Sequence, residues 1–173
     1  MNTVELVQHS VRSAFEILEQ VTDDLTPAQA DWAPPGCANP IGAMYWHTIS
    51  GADEVVYRWF EGGPCLHERE GWRARVLRVD VPEPQGSEGW LEWMRAIRVD
   101  LPAMHDYARA VAADLDTWLA SKAPEDLDRI VHTPIGDFPV AVALDTFVIW
   151  HINAHCGEIS ALKGCQGAKG YPF

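Results

Sequence analysis

The chain has 173 residues, 47% of them hydrophobic and 22% charged, which is ordinary globular usage and excludes wholesale disorder. Lys and Arg number 13 against 25 Asp and Glu, a net charge of −12 with no basic patch, so neither nucleic acid nor an anionic membrane is an expected partner. The longest apolar run, 138–152, is broken by Asp145 and too short to span a bilayer, and Met1-Asn2-Thr3-Val4-Glu5 lacks the basic start of a secretory signal, so the expected location is the cytoplasm.

The spacing predicts a first helix over about Val4 to Asp24, with Leu6, Val7, Val11, Ala14, Leu18 and Val21 as its apolar stripe. Thr26-Pro27 ends it. The second helix opens on Asn39 as N-cap and Pro40 in the first turn. Ile41, Met44, Tyr45, Thr48, Ala52, Val55, Val56 and Trp59 follow at helical spacing, and Gly62-Gly63-Pro64 stops it. Residues 64–86 read as a long loop rich in Gly, Pro and mixed charge. A third helical region runs from Ser87 to about Ala120; Pro102 demands a kink there, or a break with Asp100 capping a new helix. Lys122 to Asp137 reads as a second loop. The fourth helix spans about Pro139 to Lys163, with Gly164 beyond its end. Four long amphipathic segments with no convincing strand make the fold class all-α. The expected architecture is one domain over 1–173, an up-down-type four-helix bundle with long loops after helices two and three.

Four cysteines, Cys37, Cys65, Cys156 and Cys165, form no CxxC pair and are expected to be reduced. The eight tryptophans are expected to build a large aromatic core. His9, His67, His105 and His132 are scattered and read as surface or loop residues. His151 and His155 differ, because four residues on one helix place two imidazoles on one face. They lie in the most apolar helix, where buried polar groups need partners. His47 lies midway along the second helix. The local patterns repeat: Trp46-His47 with Glu54 seven on, Trp150-His151 with Glu158 seven on. Two facing helices would then present like groups to one centre.

Three neutral imidazoles suit zinc, nickel, iron or copper, and three protein ligands leave an open position of the catalytic kind. Glu158 or Glu54 would be a fourth ligand, an acceptor for a histidine N–H, a general base, or a surface ion-pair partner. Cys156 adjoins His155 but points about 100° away, as a buried structural thiol.

The chain resembles the DinB/YfiT-like family of metal-binding four-helix bundles. The resemblance is carried by Asn39-Pro40-Ile41-Gly42-Ala43-Met44-Tyr45-Trp46-His47 and by Trp150-His151-Ile152-Asn153-Ala154-His155-Cys156-Gly157-Glu158-Ile159. Ala161-Leu162-Lys163-Gly164 and the Lys169-Gly170-Tyr171-Pro172-Phe173 ending extend it. The long loop after helix two and the proline-interrupted third helix depart from the family pattern. The resemblance implies a divalent metal, often zinc or nickel, on His47, His151 and His155, and frequent homodimers. It also implies thiol-dependent S-transfer or isomerisation with mycothiol, bacillithiol or glutathione, or hydrolysis. The expectation is therefore a metal-dependent thiol S-transferase acting on small electrophiles, with a low-molecular-weight thiol as co-substrate. A metal-dependent hydrolase and a non-catalytic metal- or ligand-binding protein are the alternatives.

Overall fold

The computed structural model describes residues 1–78, 82–84 and 87–172. Gly86 of the predicted loop and Phe173 of the tail lie outside the described residues. Helix α1 (Thr3–Thr22) starts at Asn2, whose side chain accepts from the Glu5 N–H at 2.9 Å while Glu5 reaches back to the Asn2 N–H at 2.8 Å. Its buried face is Val4, Val11, Ala14, Phe15, Leu18 and Val21, whereas Leu6 of the predicted stripe is 50% exposed. A short helix α2 (Pro27–Asp31) follows, capped by Thr26.

Helix α3 (Ile41–Glu54) starts one residue later than predicted: Pro40 is the cap, and Asn39 makes no capping bond. It continues as a π-helical turn, Val55–Phe60. The predicted loop after it holds two short helices, α4 (Leu66–Arg69) and α5 (Trp72–Val76). Short helices of this length carry too few periodic residues to be visible in the sequence.

The third helical region breaks instead of kinking. Helix α6 (Trp90–Ala96) ends before Ile97. Helix α7 (Leu101–Ala120) restarts on Asp100, which accepts from the Ala103 N–H at 3.0 Å, with Pro102 in the first turn. The second predicted loop contains a 3-10 turn (Pro124–Asp128) and an antiparallel hairpin, β1 (Ile130–Thr133) paired with β2 (Gly136–Pro139). That strand pair was not legible: each strand is four residues long, and the connecting Pro134-Ile135 hides the alternation. Helix α8 (Val140–Leu144), a π-helical turn (Asp145–Trp150) and helix α9 (His151–Cys165) form the continuous last helix. A wider turn re-phases the residues around it, and Val142 and Trp150 are 44% and 65% exposed within an apolar run.

The all-α bundle is built from α1, α3, α7 and α9. Gln8 and Arg12 reach Asp116, and Glu19 meets Arg109, so α1 and α7 are antiparallel. Tyr45 meets His105 and Phe60 meets Trp118, so α3 and α7 run parallel. His47 meets His155 and Trp59 meets Phe147, so α3 and the last helix are antiparallel. The buried Lys163 ammonium donates to the Val21 carbonyl at 2.7 Å and to Asp24, tying the ends of α9 and α1 together. The long helices therefore run up, down, down, up. Parallel α3 and α7 need a connection that returns along the bundle, and the 61–100 segment with α4 to α6 supplies it.

Gly42 lets α3 pack closely against Val99 and Ala30. A Cβ there would stand 2.9 Å from Val99 Cγ2 and 3.3 Å from the Ala30 carbonyl. Gly42→Ala is expected to destabilise by about 1–3 kcal/mol, despite alanine's higher helix propensity, because buried overpacking outweighs it. Urea unfolding checks this; an unchanged or raised midpoint contradicts it.

Candidate metal centre

His47 on α3 and His151 and His155 on α9 come together from the two antiparallel helices. The Nε2 atoms of His151 and His47 are 3.2 Å apart, and those of His155 and His151 are 3.0 Å apart. The ligand atoms of all three lie within 4.8 Å of one another. Their ring planes cross at 84°, 80° and 86°, so they converge edge-on and do not stack. A tetrahedral ion with metal–nitrogen bonds of about 2.0–2.1 Å places its ligand atoms roughly 3.3–3.4 Å apart. The two Nε2 separations of 3.2 and 3.0 Å lie a little below that spacing, and the three imidazoles could hold a metal ion.

Glu158 fixes one tautomer. His155 donates from Nδ1 to the Glu158 carboxylate at 2.6 Å, which leaves its Nε2 lone pair for the centre. His151 Nδ1 is buried without a partner among the described residues. Gly51 faces that ring, and a Cβ there would stand 3.4 Å from His151 Cε1.

Burial, reinforced by the neighbouring His155, pushes His47 down to about 4; burial with His155 and His47 pushes His151 to about 3. Both are neutral at pH 7, as ligands must be. The ordinary value is about 6.5, so between there and 4 the unfolded chain binds protons that the folded chain refuses. These depressed values therefore contribute stability that is complete above about pH 6.5 and is lost as pH falls. The unfolding free energy of chelator-treated protein, read from urea titrations, is expected to drop between pH 7 and pH 4, by about 1.4 kcal/mol for each unit of depression at most. His47→Leu should flatten the drop; a flat wild-type profile contradicts the account.

A pocket of about 200 Å³ opens on two of the histidines. Trp46, Trp59, Trp90, Trp93 and Phe147 wall it, beside His47, His151, Gly51, Glu54 and Arg73. Half of the tryptophans thus face a cavity as well as a core. Glu54 lies on this wall without touching His47. Burial raises its pKa, and Arg58 stands 4.0 Å away. The sequence echo is therefore not a structural symmetry, since Glu158 is 59% exposed and bonds to His155, whereas Glu54 lies on the pocket wall.

The structure buries His67, which the sequence placed at the surface. It stands at 7% exposure on α4, against Asp53 on α3. Asp53 is fully buried and accepts four hydrogen bonds. They come from the Leu66 N–H at 2.8 Å, the His67 N–H at 2.9 Å, His67 Nδ1 at 2.9 Å and the Tyr107 hydroxyl at 2.8 Å. Burial opposes its charge, but the donors His67, Leu66 and Tyr107 outweigh it and hold the pKa below the usual carboxylate value. The sequence signal was an aspartate inside the apolar stripe of α3, which must find donors. Cys65 lies close enough to complete a second metal-like cluster, but Asp53 is already engaged by four donors, and burial pushes the Cys65 thiol up to about 11. Cys156 is buried and pushed up to about 12. His105, also read as surface, is half-buried on α7, 3.1 Å from the Tyr45 hydroxyl.

A family model described as the DinB superfamily matches residues 11–159, and the chain belongs to that family. A crystal structure of a conserved protein from Enterococcus faecalis superposes with a TM-score of 0.77 at 18% identity. It covers 95% of this chain and 99% of its own, a likeness of fold. No curated protein matches. Among the described residues, no helix is long and apolar enough to cross a membrane.

Proposed function

We propose that this protein is a divalent-metal-dependent enzyme, a thiol S-transferase acting on small electrophiles, with zinc or nickel on His47, His151 and His155. The observation that carries this reading is the convergence of three imidazoles, with His151 Nε2 3.2 Å from His47 Nε2 and 3.0 Å from His155 Nε2, beside an aromatic pocket. Such an ion supplies Lewis acidity and favours the anionic form of a thiol or water. The chain supplies the rest. Glu158 orients His155. The tryptophans and Phe147 exclude water and pack against an apolar substrate. Glu54 and Arg73 set the charge at the wall.

The pocket is smaller than the roughly 300–1,000 Å³ of drug-sized sites. It suits a small substrate and the sulfur end of mycothiol, bacillithiol or glutathione, not the whole thiol. That volume also favours a second reading, metal-dependent hydrolysis of a small substrate, in which water replaces the thiol. The charge of −12 supports a small-molecule substrate over nucleic acid or membrane. We place the enzyme in the cytoplasm as a homodimer, an assembly that sedimentation tests. Consumption of an electrophile by zinc- or nickel-loaded protein that requires added thiol supports S-transfer. Consumption without thiol supports hydrolysis, and metal binding without consumption leaves a binding protein.

Glu158→Gln is expected to weaken zinc binding about 10–100-fold, because an amide holds the His155 N–H less firmly than a carboxylate. Zinc titration checks it, and unchanged affinity would make Glu158 a bystander.

A further inference from the structure

We propose that His67 is the catalytic proton-transfer residue of this pocket, acting through Nε2, with Asp53 and Tyr107 as the residues that position it. The proposal rests on the enzymatic reading above. An Asp53 carboxylate holding two backbone N–H groups and the Tyr107 hydroxyl is fixed in place and ionised. The only imidazole edge that can face it at 2.9 Å is a protonated Nδ1. That choice of tautomer leaves a lone pair on Nε2. The ring is held from two sides, with Trp46 edge-on at 5.8 Å and Tyr107 at 6.4 Å between centroids.

Nε2 has no hydrogen-bond partner among the described residues, and it is not one of the buried polar atoms shut off without one. His67 lines the same cavity as His47 and His151. An acceptor oriented by a buried carboxylate, facing a site where a nucleophile would be held, has the arrangement of a general base. The competing carboxylates are less suited. Glu158 is engaged with His155 and 59% exposed, and Glu54 is raised by burial and faces Arg58.

The step balances within the pocket. The S–H or O–H bond of the thiol or water breaks. Its proton passes to Nε2, its electron pair forms the new bond to the electrophilic carbon, and the bond from that carbon to the leaving group breaks, with its electron pair going to the leaving group. The imidazolium, beside Asp53, then gives the proton to the departing anion where that anion is basic, and to solvent where it is chloride.

The discriminating variant is His67→Asn. Its amide N–H can still reach Asp53 where Nδ1 did, but nothing replaces Nε2. In zinc-loaded full-length protein, p-nitrophenyl acetate hydrolysis and glutathione conjugation of 1-chloro-2,4-dinitrobenzene serve as probe reactions. Whichever reaction wild type catalyses should lose about 10²–10⁴-fold in kcat with KM and zinc affinity unchanged. Unchanged kcat, or a loss of zinc affinity equal to the loss of rate, overturns the proposal. An independent arm uses diethyl pyrocarbonate, which labels unprotonated, reachable imidazole nitrogen. Mass spectrometry of zinc-loaded wild type should find His67 labelled, alongside exposed His9 and His132, while the triad is protected. An unlabelled His67 overturns the proposal. If wild type catalyses neither reaction, the enzymatic reading fails by itself, and labelling alone decides whether Nε2 is the pocket's open acceptor.

Discussion

Asp53→Ala is expected to destabilise the protein by about 3–5 kcal/mol, the range seen when one partner of a buried charged network is removed. The substitution leaves the Leu66 and His67 N–H groups, His67 Nδ1 and the Tyr107 hydroxyl without their acceptor at a site with no exposure. Each stranded donor costs about 1–3 kcal/mol, reduced where water can enter. Because domains of this size are stable by only about 5–15 kcal/mol, the variant should be marginal at 37 °C. The damage should begin where α4 docks on α3, which also shapes the pocket. Asp53→Asn keeps the volume and one acceptor oxygen, and should lose less. Urea unfolding of the three proteins ranks them. A loss below about 1 kcal/mol for Asp53→Ala would mean that the network is not what holds α4 down.

His151→Ala is expected to weaken zinc binding by more than about 100-fold, beyond what the loss of an outer partner such as Glu158 costs. His151 is the central member: its Nε2 lies 3.2 Å from His47 and 3.0 Å from His155, so two ligands without it no longer define a face. His47→Ala and His155→Ala should behave alike. Helix content should stay near wild type in all three, because the apolar core runs through α1, α3, α7 and α9 independently of the imidazoles. His9→Ala and His132→Ala, both exposed, serve as controls. If they abolished binding and the triad variants did not, the site would lie elsewhere.

The bundle and the meeting of three histidines were legible because both rest on long-range periodicity. The i, i+4 spacing of His151 and His155 and the apolar stripe of α3 declare their faces over successive turns. The direction of the helices was not legible, since it depends on how 61–100 returns along the bundle, and Gly, Pro and mixed charge say only that the segment is irregular. The β1–β2 hairpin escaped for a related reason: four-residue strands offer two alternations at most. The two π-helical turns leave no composition signal, yet the second re-phases the helix just before His151. His67 was misplaced because its burial is decided by Asp53, fourteen positions earlier in the chain. A lone histidine in a charged loop carries no trace of that partner. The roles left open for the paired glutamates were not legible either. Equal spacing from a histidine cannot choose among them: Glu158 reaches His155 across one turn, while Glu54 lies on the pocket wall.

The central claim is that His47, His151 and His155 form a resident metal site. Elemental analysis of protein purified without an affinity tag or added metal tests it most directly, with wild type and His151→Ala prepared side by side. The account predicts close to one equivalent of zinc or nickel per chain in wild type and almost none in the variant. Wild type that carries no transition metal and takes up none on zinc titration, or a His151→Ala variant that retains the full equivalent, would contradict it.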